Sequence, residues 1–212
     1  MRPTYHQESG PGDSSASGIT DLMTSLAVIF ILLLAAYVSR TEDSQAKGTD
    51  QTATVQTELN REAQLHHLEL APEPAYPNVL SVVVPDAILN FELGKSTLLP
   101  AGEAFLAESI PQYALMMCGA KEREVESFVI EGHTDDLGSD LHNLKLSQDR
   151  SVAVMAKGLE TIRESLPWAF DCFLRKTSAN GRGEQDLLFD SHGMLDREHS
   201  RRVIFKFHLR HG

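Results

Sequence analysis

Basic residues are scarce and scattered in this chain of 212 residues: 19 Lys and Arg stand against 30 Asp and Glu, for a net charge of −11. Binding to nucleic acid needs clustered cations that neutralise phosphates, and no segment carries such a stripe, which argues against a nucleic-acid partner. Cysteine is scarcer still. Cys118 and Cys172 are the two cysteines, and without a Cys-x-x-Cys spacing neither a zinc site nor a thioredoxin-type motif can be read. A disulfide between them, in an oxidising compartment, is left open. A nucleotide-binding loop is missing too: "LGKST" at 93–97 has the tail of one, but the motif needs a glycine five residues before Gly94, and position 89 is Leu. No Gly-x-Ser-x-Gly elbow or nucleophile–base pair is evident, and no internal repeat recurs. These absences point away from an enzyme and from any bound cofactor.

What the chain does have is one long apolar run, "GITDLMTSLAVIFILLLAAYVSR" over 18–40. Ile19 to Val38 is about 20 residues, roughly 30 Å of helix, which matches the hydrocarbon core of a bilayer. A cleaved signal peptide fits less well, because the leader carries Arg2 as its sole basic side chain, and no Cys follows the run to anchor a lipid. The expectation is a single uncleaved transmembrane helix over 18–40. Asp21 stands inside its start. Asp21, Thr24 and Ser25 fall at i, i+3 and i+4, so the polar groups share one stripe that should face protein rather than lipid. Two readings of Asp21 stay open at this point: an acid complementing a helix N-terminus at the headgroup level, or a proton-accepting acid in a channel. One helix cannot wall off a pore, so the second reading requires helices from another chain.

Around the run, residues 1–17 are rich in Ser, Gly and Pro and read as a disordered tail. Residues 41–76 read as a polar linker, with a thin stripe of Val55, Leu59, Glu62 and His66 that would support at most a weakly docked helix. From Pro77 to residue 212 the pattern is that of an α/β domain. Strands are expected at 79–84, 127–133, 173–179 and 201–209, the last alternating Val203, Phe205, Phe207 and Leu209 on one side. Helices are expected at 101–110, broken or bent by Pro111, and at 146–162. That order implies an α/β (α+β) sandwich with a mixed sheet.

The informative segment is "IEGHTDDLGSDLHNLKLSQDRS", 130–151, where a strand runs through a glycine-bearing loop into a helix. Asp135 in the loop and Arg150 in the helix could face one cavity and hold a zwitterionic amino acid by its ammonium and carboxylate, or could pair with each other as an internal salt bridge. A metal site from His133, Asp135, Asp136 and His142 is disfavoured, because these residues mix a strand end with a loop and lack paired helical spacing.

Gly132-His133-Thr134-Asp135, Gly138, Asn143-x-x-Leu146-Ser147-x-x-Arg150, Gly181-Arg182-Gly183-Glu184 and Arg197-x-x-Ser200-Arg201-Arg202-Val203, with Phe91 to Gly102 ahead of them, resemble the OmpA-like peptidoglycan-binding family over about 78–210. The resemblance implies that Asp135 and Arg150 bind the diaminopimelate of the cell-wall stem peptide, with Thr134, Gly138, Leu141 and Asn143 shaping the pocket. Ser200 stands where the family usually has Asn. A wall-binding domain faces the periplasm, so the run would cross the inner membrane with its N-terminus in the cytoplasm. Asp21-Leu22-Met23-Thr24 at the start of a span, followed by a tether and such a domain, resembles the B subunit of flagellar stators and its relative in Zorya anti-phage defence. That implies Asp21 as proton carrier, with Na⁺ as the alternative ion, and Thr24 and Ser25 facing the channel. It also implies a homodimer of this chain inside a five-membered ring of multi-span A subunits. "SSASGITD" lacks the aromatic approach of the flagellar proteins, which favours the Zorya-like branch.

Overall fold

The computed structural model describes residues 13–73 and 76–210. In chain order they form α1 (Asp13–Leu65), β1 (Glu69–Glu73), β2 (Tyr76–Pro85), the single turn α2 (Asp86–Leu89), α3 (Pro100–Leu115), β3 (Val125–His133), α4 (Asp140–Ser165), α5 (Phe170–Lys176), β4 (Thr177–Gly183), the single turn α6 (Arg197–Ser200) and β5 (Arg202–Leu209). By internal contacts the chain divides into two units, Met1–Lys47 and Gly48–Gly212.

In the first unit α1 runs through the apolar segment, and from Met23 to Val38 its side chains are exposed, among them Leu26, Phe30, Leu33 and Tyr37. Among the described residues no helix is long and apolar enough to cross a membrane; the stretch whose side chains are described, 23–38, is shorter than the roughly 20 residues a span takes. Of the tail expected over 1–17, residues 13–17 are helical, and 1–12 lie outside the described residues.

In the second unit the sheet has the order β1-β2-β5-β3-β4, antiparallel except for the parallel pair β3 and β4. β-branched and aromatic residues drive it: Val79, Leu80, Val82 and Val84 of β2 are buried, and Val203, Phe205, Phe207 and Leu209 alternate into the core from β5. Aromatics make up 7% of the chain, and five of them meet in one place. Phe128 stacks on Phe207 at 4.8 Å, Tyr113 meets Phe205 and Phe207 edge-on, and Phe173 closes on Phe128 at 6.1 Å.

Several elements differ from the sequence expectation. Val55, Leu59 and Ala63 of α1 are buried in the core, Glu62 is buried beside them, and His66 meets Phe105 edge-on at 5.2 Å. Of the two readings of this stretch, the structure has the docked helix. Burial of two full aliphatic side chains, each worth about 1.5–3 kcal/mol, outweighs the thinness of the stripe. Strand β1, absent from the sequence reading, then pairs with β2. Pro111 sits within α3, which continues past it to Leu115 and ends in a π turn at Met116–Ala120. Of the strand expected at 173–179, Phe173 to Lys176 are helical and the strand begins at Thr177. Cys118 and Cys172 are joined in a disulfide that spans 54 residues. Lys176 donates to the carbonyls of Met117, Glu122 and Val125, satisfying the irregular chain that follows the π turn.

Candidate functional site

Strand register places the site. Pro85 of β2 and His133 of β3 both pair with Arg202 of β5, and His133 also pairs with Gly183 of β4. The residues leaving these strand ends, Asp86, Thr134, Asp135 and Arg201, therefore gather at one end of the sheet. α4 returns over that end and brings Arg150. Its approach is tight: a Cβ on Gly132 would stand 2.3 Å from the Ser147 carbonyl oxygen. Gly138 turns the chain into α4 with φ +116°, in the left-handed region that favours glycine. Ser139 then caps the helix, its hydroxyl accepting from His142 N–H.

Asp135 is buried, and each of its oxygens has a partner. Oδ1 accepts from the Leu137 N–H at 3.1 Å, and Oδ2 accepts from Arg201 Nη1 at 2.7 Å. Arg150 is also buried. Its Nε donates to the Lys95 carbonyl at 3.0 Å, its Nη1 lies 3.1 Å from Asp86 Oδ1, and the Phe91 ring covers the guanidinium at 4.8 Å. So the acid and base singled out in the sequence are not each other's hydrogen-bonded partners. They belong to a four-charge cluster in which Asp86 holds Arg150 and Arg201 holds Asp135. Burial raises the Asp86 carboxyl above its usual range, opposed by the charges of Arg150 and Arg201, while the Asp135 charge adds to the rise. Burial likewise lowers Arg150, with Asp86 pulling it back up, Arg201 lowering it further and Asp135 raising it. Asp86 and Arg150 thus each sense the other three charges.

Asn143, fully buried, donates to the Asp135 carbonyl at 3.3 Å and to Glu184 Oε2 at 2.6 Å, tying the loop to the end of β4. Thr134 N–H donates to the Gly183 carbonyl, and its buried hydroxyl has no hydrogen-bond partner among the described residues. Leu141 stands apart from this group. It is 77% exposed and lines a neighbouring hollow with Asp140, Leu144 and the Arg182–Gln185 segment. Asp21, Thr24 and Ser25 lie in the other unit. Thr24 and Ser25 are exposed on α1, and the Asp21 side chain lies outside the described residues.

The structure separates the metal-site candidates weighed from the sequence. Asp136 accepts from Arg197 at 2.6 and 2.9 Å. His133 turns instead to Glu131 (3.2 Å), with Asp186 at 3.8 Å. That trio could be spanned by a cation, but Lys206 stands 2.8 Å from Glu131 and Arg182 holds Asp186 at 3.3 Å, so cations already occupy the carboxylates. Ser200 is buried, accepting from Leu188 N–H and donating to the Asp196 carbonyl, a structural use that needs no amide.

Sequence reasoning missed Asp86 as a site residue. The signal was an acid directly after a buried strand and a proline, at a strand end where sites are built; Arg201 was noticed only as part of a motif.

No family model matches the chain. A stretch of 85 residues is 33% identical to outer membrane protein A of Bordetella avium, covering 38% of this chain and 40% of that protein, so the chain spans well under half the length of this relative. Among solved structures, a MotB-like protein of Desulfovibrio vulgaris superposes with a TM-score of 0.54 at 21% identity, covering 80% of this chain and 95% of that one. The periplasmic domain of Helicobacter pylori MotB superposes at 0.49 with 15% identity, covering 67% and 79%. The fold is thus a mixed α/β fold with a five-stranded mixed sheet, of the shape seen in the MotB-like protein.

Proposed function

We propose that this chain is a peptidoglycan-anchored B-type subunit of an ion-driven stator, held in the inner membrane by the segment 18–40 with its folded unit in the periplasm. The observation that carries the wall-binding half is the pair of buried, opposite charges at one sheet end, Asp135 and Arg150, next to the unpartnered Thr134 hydroxyl. In this reading Asp135 takes the ammonium and Arg150 the carboxylate of the diaminopimelate in the stem peptide. Asn143 and Gly138 hold the loop, and Leu141 contacts the rest of the peptide. The disulfide Cys118–Cys172 supports an oxidising compartment such as the periplasm. The exposed apolar side chains from Met23 to Val38 call for cover by lipid or by partner helices.

For the membrane half, Asp21 carries protons, or Na⁺ as the alternative ion, with Thr24 and Ser25 on the same helical stripe. The partner is a multi-span A-type ring of five around a homodimer of this chain. The leader without an aromatic approach favours a Zorya-type anti-phage system over a flagellar one. The role is binding and conduction rather than catalysis, with no cofactor.

Pulldown of the full chain on isolated peptidoglycan tests the first half. Asp135→Ala and Arg150→Lys should each lose binding at least tenfold while circular dichroism shows the fold retained at the assay temperature, and full retention of binding would refute the site. In cells, Asp21→Asn should abolish ion-dependent function while expression and co-purification of a multi-span partner persist. A silent Asp21→Asn with no such partner would make the chain a passive tether between membrane and wall.

A further inference from the structure

Each of the two proposed ligand-binding groups is held in the same way. One atom is clamped by backbone: Arg150 Nε by the Lys95 carbonyl, and Asp135 Oδ1 by the Leu137 N–H. The other working atom is covered by a side chain of opposite charge: Arg150 Nη1 by Asp86, and Asp135 Oδ2 by Arg201. The clamps are main-chain groups; the covers are side chains, more exposed than what they cover. The Asp86 side chain is 24% exposed against 5% for Arg150, and Arg201 is 37% exposed against 10% for Asp135. The two covers also come from one place, since Asp86 N–H donates to the Arg201 carbonyl at 3.1 Å.

Resting on the diaminopimelate reading above, the geometry points to Asp86 and Arg201 as built-in stand-ins for the ligand, a carboxylate on Arg150 and a cation on Asp135, which the incoming amino acid must displace together. Displacement explains how buried charges can wait for a ligand at all. An unpaired buried guanidinium or carboxylate costs several kcal/mol, so an empty site of this kind needs an internal partner. It also sets specificity. A ligand bearing only a carboxylate could free Asp86 but would leave the Arg201–Asp135 pair in the way, and a ligand bearing only an ammonium would meet the converse obstacle. Only a zwitterionic end replaces both pairs without leaving a charge unmatched. Asp86 and Arg201 are therefore specificity-determining residues that act by competition.

Calorimetry on the full chain in detergent tests this with a soluble tripeptide ending in meso-diaminopimelate and two blocked forms, one amidated at the side-chain carboxyl and one acetylated at the side-chain amine. Asp86→Asn should tighten the free tripeptide roughly tenfold while leaving the amidated form unchanged, so that the ratio between the two rises. Arg201→Gln should raise the ratio of free to acetylated peptide in the same way. Asp86→Ser serves as a second variant if Asp86→Asn lowers the melting temperature, because it removes the charge with a smaller group. Ratios that stay constant or fall in correctly folded variants would overturn the exchange and leave the wall-binding reading standing, provided the wild type binds and Asp135→Ala does not. No binding by the wild type would overturn both.

Discussion

Glu131 and His133 show how strongly a single position depends on neighbours distant in sequence. Burial pushes the Glu131 carboxyl up, but hydrogen bonds from His133 and Lys206 and the Lys206 charge outweigh it and bring it to about 2, against an ordinary 4.5. A depressed carboxyl contributes stability that is present above its unfolded value and is lost as pH falls from about 4.5 toward 2. Burial lowers His133 below its ordinary 6.5, with the Glu131 hydrogen bond opposing it. The folded state thus resists protonating this imidazole, and stability falls as pH drops below about 6.5, the same sign. Asp86, raised by burial, works the other way and gains stability on acidification. Urea denaturation followed from pH 7 to pH 3 should show a falling midpoint. Glu131→Gln should flatten the acid limb, removing on the order of 1–2 kcal/mol of the pH dependence; an unchanged slope would count against the network. At this scale the sequence exposed Asp135 and Arg150 as chemistry-bearing residues on either side of a loop. It could not expose their real partners, because Asp86 and Arg201 reach the site through strand register.

Among elements, those with a strong local signal were legible and those stabilised by distant contacts were not. β5 and the amphipathic core of α4 follow directly from apolar spacing, and α4 begins earlier than that spacing suggests, at Asp140, where Ser139 caps it. β1 was missed, and the docked part of α1 was given only as a weak alternative to a linker, for a common reason: each depends on a surface supplied elsewhere, the edge of β2 for one and the core beneath Val55, Leu59 and Ala63 for the other. Leu59 is 1% exposed, so Leu59→Ala should cost about 2–4 kcal/mol in a denaturant titration of the full chain. A loss below about 0.5 kcal/mol would mean the helix is not docked in solution. Phe173 to Lys176 illustrates the limit of short windows, since an apolar stretch of that length suits a strand or a helix equally until packing decides.

For the whole molecule, the disulfide and the sheet-end cluster tie sequence-distant parts together. Linking Cys118 to Cys172 closes a loop of 54 residues, which on chain-entropy grounds stabilises by about 4 kcal/mol. Cys118→Ser with Cys172→Ser should lower stability by roughly 2–4 kcal/mol, measured by guanidinium denaturation, while peptidoglycan pulldown at 20 °C persists; loss of pulldown in a folded double variant would show that the staple shapes the site.

Composition and pattern alone determined the broad class: an acidic chain with one apolar run, no basic stripe, and a domain of alternating strands and helices. These are local properties, written in the spacing of apolar and charged residues. Tertiary structure decided what is non-local, namely that the Val55–Ala63 part of α1 packs into the core of the second unit, that the two cysteines meet, and that Asp135 and Arg150 each face a counter-ion other than the other. Pairing across a sheet depends on which strands become neighbours, and that choice is made by burial of the whole core, which no short stretch encodes.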